Sequence, residues 1–112
     1  MSCVFCRLVA GEIPTTRVYE DAEVLAFRDI SPQAPTHVLI VPKRHLDSLH
    51  ELDDPALAGA LLSAAAHVAR LEKLEQGWRL IANTRDHAGQ EVAHLHLHVV
   101  GGKKLGRMLP PS

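Results

Sequence analysis

The chain has 112 residues, 46% of them hydrophobic and 22% charged, with a formal net charge of −1. That length suits one domain over residues 1–112, with apolar material for a modest core. No Lys/Arg stripe marks a nucleic-acid face, no apolar run could span a bilayer, and the first residues lack a secretory stretch; no nucleic acid or membrane partner and a cytoplasmic location are expected.

In chain order, Cys3-Val4-Phe5-Cys6 comes first. A thioredoxin-like redox motif follows a strand, and none precedes this one, so two thiols buried as small hydrophobes are the simpler reading. Residues 17–28 are expected to form a hairpin, with Glu20-Asp21-Ala22-Glu23 as its turn and Val24-Leu25-Ala26-Phe27 as its second strand. The prolines of Ser31-Pro32-Gln33-Ala34-Pro35 make a loop, and Val38-Leu39-Ile40-Val41, ended by Pro42, reads as a strand buried on both faces.

Asp54-Pro55 supplies an N-cap and a first-turn proline for a long helix reaching about Gln76, with Gly77 as its stop. Steps of 100° place Leu57, Leu61, Ala64, Val68 and Leu71 on one face, and Ala58, Leu62, Ala65 and Ala69 widen it to roughly 180°. So wide an arc fits a helix sunk deeply in its own core or, the preferred reading, a second contact with a partner subunit. Residues 78–83 and 93–100 read as further strands, joined through a Gly-containing loop at 85–90. Strands outnumber helices on short connections, which describes an antiparallel α+β fold and not a βαβ repeat.

Eight histidines is a high count for this length, and three fall in His94-Leu95-His96-Leu97-His98. In a strand alternate side chains share a face at about 6.6 Å spacing. Leu95, Leu97 and Val99 are therefore expected in the core, with His94, His96 and His98 on the opposite face. His-x-His on a strand can present imidazoles to zinc, but no Asp or Glu follows Glu91 to act as the nearby acid that such hydrolases often carry. The other use is nucleophilic attack on phosphorus by a neutral imidazole. Flanking imidazoles then help keep one ring neutral and fix which nitrogen attacks.

His94-Leu95-His96-Leu97-His98-Val99-Val100 resembles the signature of the histidine triad superfamily. The segment Phe27-Arg28-Asp29-Ile30-Ser31-Pro32-Gln33-Ala34-Pro35-Thr36-His37, together with Pro42-Lys43-Arg44-His45, is similar to its nucleotide-binding branch. Gly101-Gly102 followed by Leu105-Gly106-Arg107-Met108-Leu109 is similar to bacterial members, and the resemblance runs over residues 4–109.

The resemblance implies a five-stranded antiparallel sheet with one long and one short helix, pairing into a ten-stranded sheet in a homodimer. It implies a purine nucleoside phosphoramidase in which His96 attacks the α-phosphorus, His98 bonds the phosphate oxygens, and His94 and His37 support them. Asp29 would hold the ribose hydroxyls. Phe5, Leu8, Phe27 and Ile30 would wall the purine, and Asn83, Gly89, Gln90, Glu91 and Val92 would surround the phosphate. The partner is then a purine nucleotide (AMP, GMP or their phosphoramidates), and no cofactor is required for catalysis. Some relatives carry a hydroxyl at the position of Glu91, so Glu91 is expected to face the leaving group and favour cationic amines. The cysteines gain a third reading, because some members hold a structural zinc with a set matching Cys3, Cys6, His45 and His94. His50, His67 and His87 are expected at the surface without a role. A zinc hydrolase, a non-catalytic purine-nucleotide sensor and a dinucleoside polyphosphate hydrolase stand as rival readings.

Overall fold

The computed structural model describes residues 3–110. A short helix α1 (Val4–Val9) leads into β1 (Arg17–Glu20), β2 (Val24–Arg28) and β3 (Thr36–Pro42). The long helix α2 (Pro55–Leu71) then precedes β4 (Trp78–Ile81) and β5 (Leu97–Gly101). The strands form one antiparallel sheet in the order β1-β2-β3-β5-β4, so the architecture is α+β as expected.

The hairpin closes on Asp21, whose Oδ1 accepts the amides of Glu23 and Val24 at 2.8 and 2.9 Å, while its Oδ2 accepts the Tyr19 hydroxyl at 2.6 Å. A carboxylate binding amides two and three residues on stands in for the turn's own backbone bonds. From there β2 and β3 are buried on both faces. Val24, Ala26, Val38 and Ile40 meet Leu57, Leu61, Ala64, Ala65 and Val68 of α2. Leu25, Phe27, Leu39 and Val41 meet Phe5 and Leu8 of α1. Strict alternation thus feeds two cores from the same strands.

Helix α2 begins where the sequence places it. Asp54 Oδ1 accepts from the amides of Ala56 and Leu57, with Pro55 in the first turn. It ends five residues early, at Leu71 and not near Gln76. Lys73 adopts φ +58°, its amide donates to the Arg70 carbonyl at 3.1 Å, and the Leu74 amide donates to the Ala69 carbonyl at 3.0 Å. This is a Schellman ending with lysine at the position glycine usually takes. The stop is invisible to a search for glycine, and Gly77 serves a later turn instead. Leu71, expected on the buried face, is 49% exposed because the helix ends there, and Leu62 is 57% exposed. Left-handed backbone costs a lysine more than a glycine, partly offset by the greater freedom of unfolded glycine. Lys73→Gly is accordingly expected to raise the unfolding free energy by about 0.5–1 kcal/mol. Urea titration reads this, and an unchanged midpoint would contradict it.

Two strand limits also differ. β4 stops at Ile81 and not at Asn83, and β5 begins at Leu97 and not at Ala93. In the β3–β5 register Ile40 faces Leu97, so Pro42 stands where Leu95 would pair. Proline has no amide to extend the ladder. The Leu95 amide instead donates to the Leu46 carbonyl at 2.7 Å. His94 and His96 therefore precede the strand and His98 lies within it. Leu95, Leu97 and Val99 still point into the α2 core as expected.

Candidate active site

His98 on β5 faces Leu39 of β3 and Ile81 of β4, and His37 on β3 faces Val100. This diagonal brings His37 Nε2 to 2.9 Å from His98 Nδ1. The rings of His96 and His98 lie 5.1 Å apart, and the edge of Phe5 packs on His96 at 5.1 Å. A cleft of about 390 Å³ is lined by His37, His96 and His98, by Asp29, and by Asn83, Gly89 and Glu91. Ser31 and Gln33 also line it; the sequence pattern gives neither a role, although both sit inside the Phe27–His37 motif.

His94 does not line this cleft. The expectation that three imidazoles share one face is corrected to two, because the strand begins only at Leu97 and the chain ahead of it turns His94 away from the cleft. Its buried ring donates from Nε2 to the Pro42 carbonyl at 2.9 Å and turns Nδ1 toward Cys3, Cys6 and His45.

Backbone partners fix the protons on the remaining rings, since a carbonyl only accepts and an amide only donates. His96 Nδ1 is 2.8 Å from the His94 carbonyl, so it carries the proton and leaves Nε2 with a free lone pair. His37 Nδ1 accepts from the Gln33 amide at 3.0 Å, so its proton is on Nε2. Burial, then the charges of His96 and His37, push His98 down to about 4. Burial also lowers His37, against the opposing charge of Asp29. Both rings are neutral at pH 7.

Other predicted residues take different places. Phe5, Leu8 and Phe27 are buried in the α1 core, whereas Ile30 is 96% exposed and forms no wall. Val92 packs against that core. Gln90 holds the 85–90 loop: its Nε2 donates to the carbonyls of Asp47 and Val92 at 2.6 and 2.9 Å, and its Oε1 accepts the Arg85 amide at 2.7 Å. That bond helps hold Arg85 at φ 64°, ψ −171°, a conformation usually left to glycine. Glu91 makes no hydrogen bond or ion pair among the described residues. His67, expected at the surface, is half-buried with its ring edge-on to Tyr19 at 4.9 Å.

Two groups of donors could suit a metal. In the first, Cys3 Sγ and Cys6 Sγ stand 3.3 and 3.5 Å from His94 Nδ1, Cys6 Sγ is 3.4 Å from His45 Nδ1, and the two Nδ1 atoms are 3.1 Å apart. The far nitrogens of both rings donate, His94 to Pro42 and His45 to Asp47 at 2.8 Å. Two bare lone pairs then face each other beside two sulfurs, which is stable around a cation. The separations approach the nitrogen–nitrogen and nitrogen–sulfur edges, about 3.3–3.6 Å, of a tetrahedron with the usual zinc–nitrogen and zinc–sulfur lengths. Backbone and carboxylate partners behind ligating imidazoles are the usual support. Asp47 raises His45 and burial lowers His94. For Cys3, burial pushes upward but hydrogen bonds from Cys6 and His45 outweigh it, and the thiol is lowered. The second group, Asp29, His37 and His98, fails the same test. His37 Nδ1 is already an acceptor, so Nε2 keeps its proton and cannot ligate.

The fold and the arrangement around His96 define a histidine triad protein. The HIT domain model matches residues 10–105. The chain belongs to the HIT domain family. It is 45% identical over 109 residues to the purine nucleoside phosphoramidase of Escherichia coli strain K12, covering 95% of this chain and 92% of that one. A HIT family hydrolase from Legionella pneumophila superposes with a TM-score of 0.91 at 46% identity, over 94% of this chain and 96% of that one. A histidine triad protein from Clostridium difficile gives 0.91 at 44% identity, over 97% of each chain.

Proposed function

We propose that the chain hydrolyses purine nucleoside phosphoramidates through a covalent nucleotidyl-histidine. The observation that carries this reading is the bare Nε2 of His96, left so by the bond from Nδ1–H to the His94 carbonyl. That lone pair forms a bond to the α-phosphorus while the P–N bond breaks and the leaving amine takes up a proton. Water then cleaves the P–N bond to His96, releasing the nucleoside monophosphate and restoring the free ring. His98, neutral at pH 7, donates to the phosphate oxygens. Asp29 takes the ribose hydroxyls, Phe5, Leu8 and Phe27 lie on the purine side, and Asn83, Gly89 and Glu91 flank the phosphate. The E. coli relative's name supports the substrate class.

Incubation with adenosine 5′-phosphoramidate, acid trapping and peptide mapping test this. AMP release and a nucleotidyl group on His96 are expected, with turnover surviving exhaustive chelation. An adduct elsewhere, or binding without turnover, overturns it. Glu91 is proposed to receive the leaving group. Glu91→Gln is expected to lower kcat/KM for amines bearing a second, cationic group by about three- to tenfold more than for neutral amines. Equal losses on both would sink that role.

A structural zinc held by Cys3, Cys6, His45 and His94 is part of the same proposal, anchoring α1 to the segment ahead of His96. So is a homodimer. Leu62 of α2 and Trp78 of the edge strand β4 are exposed apolar groups, and joining β4 edges would make a ten-stranded sheet. No helix among the described residues is long and apolar enough to cross a membrane. The reducing cytoplasm suits two free thiols kept for a metal.

A further inference from the structure

The loop that brings Gly89 and Glu91 to the cleft begins at a residue in an unfavourable conformation. Arg85 sits at φ 64°, ψ −171°, a region that penalises any residue with a Cβ and that glycine enters freely. Such a residue persists only where its surroundings over-determine it. Both ends of Arg85 are held. Its amide donates to Gln90 Oε1 at 2.7 Å, and its guanidinium pairs with Glu51, which also accepts the hydroxyl of buried Ser48. The ion pair lies at the surface and contributes little, so the bond to Gln90 is the main restraint.

Gln90 is in turn fixed by both amide hydrogens, which go to the carbonyls of Asp47 and Val92 at 2.6 and 2.9 Å. One side chain thus ties three separate stretches of chain together. Gly89 and Glu91, on either side of it, line the cleft with His96 and His98, whereas Gln90 does not. The turn between Arg85 and Gln90 also closes on itself: the Gly89 amide donates to the Asp86 carbonyl at 2.9 Å and the Gln90 amide to the Arg85 carbonyl at 3.2 Å. It therefore moves as one piece, and Arg85 is its hinge.

We infer that Gln90 is a positioning residue for the phosphate: by holding Arg85 strained, its side-chain amide keeps the 86–91 turn facing His96. This rests on the proposed function, which puts the phosphate between that turn and the two histidines. Without the clamp, Arg85 relaxes to ordinary backbone angles and the turn withdraws from the cleft. Phosphate contacts are then lost and purine contacts are kept, because Phe5, Leu8 and Phe27 belong to α1 and β2. By the same linkage, a bound phosphate favours the held turn.

Binding of AMP and of adenosine, which lacks the phosphate, tests this. Gln90→Ala is expected to weaken AMP on the order of tenfold, the scale of the hydrogen bonds lost, and adenosine by no more than about twofold. In an Arg85→Gly background the held conformation carries no Cβ penalty, so the same substitution should weaken AMP by about threefold or less. A glutamine that merely stabilised the fold would affect both ligands alike and be indifferent to the residue at position 85. Hydrogen exchange on the wild-type protein needs no variant to fold: AMP is expected to slow exchange of the Arg85 amide several-fold, and adenosine to leave it unchanged. Equal losses for the two ligands, no loss for either, or an undiminished loss in the Arg85→Gly background overturns the inference. So does an Arg85 amide that AMP leaves unprotected. AMP-specific losses without turnover of any phosphoramidate would count against the proposed reaction alone and leave the clamp standing.

Discussion

Replacing His96 with alanine is expected to lower phosphoramidate turnover by about three orders of magnitude or more, the scale seen when a covalent nucleophile is removed. No other group in the cleft can take its place. His98 Nδ1 accepts the His37 Nε2 proton and His37 Nδ1 accepts the Gln33 amide, so none of these nitrogens has a free lone pair, and the pocket's carboxylates, Asp29 and Glu91, are repelled by an anionic phosphate. Affinity for AMP should change little, within about threefold, because the ribose and phosphate contacts assigned to Asp29 and His98 remain. The substitution also removes the bond to the His94 carbonyl and a ring packed on Phe5, so a stability loss of about 1–3 kcal/mol is expected beside the kinetic one. Measuring AMP binding and thermal unfolding on the same preparation separates the two. Residual turnover above a few per cent would show that the covalent path does not run through this ring.

Stoichiometric zinc is expected to raise stability by several kcal/mol, about 4 kcal/mol at a thousandfold excess over its dissociation constant. Binding to Cys3, Cys6, His45 and His94 ties helix α1 to the chain ahead of β5, across a sequence separation of 91 residues between Cys3 and His94. Protons compete for the same sulfurs and nitrogens, so the stabilisation is present at neutral pH and lost as pH falls. The double substitution Cys3→Ser, Cys6→Ser should abolish both the bound metal and the effect of chelator on the denaturation midpoint. Turnover in the folded double variant should stay within about tenfold of wild type, because His96 and His98 are outside the ligand set. Metal analysis of unchelated protein checks the premise, and substoichiometric zinc would end it.

Much of this was legible in the residues. Asp54-Pro55 marks the start of α2, Asp21 marks the hairpin turn, and the alternation of Leu95, Leu97 and Val99 marks the core face. What the sequence hides depends on partners distant in the chain. Lys73 ends α2 in a backbone conformation no lysine advertises. Ile30 belongs to a recognisable motif, yet its position leaves it in solvent. The different orientation of His94 depends on what faces Leu95 across the sheet, which only the β3–β5 register reveals. The proton positions on His37, His96 and His98 likewise follow from a backbone amide and a carbonyl, groups every residue has and no side-chain pattern encodes.

A single imino acid therefore divides labour along the repeated His-Leu pattern. Were the residue at position 42 able to donate, pairing could run on, all the rings could stand in one row, and the first would compete for the anion. Its missing hydrogen lets the main chain swing aside, and its carbonyl captures the ring that has been freed. A chemically uniform stretch thereby acquires a joint, with architecture on one side and reactivity on the other.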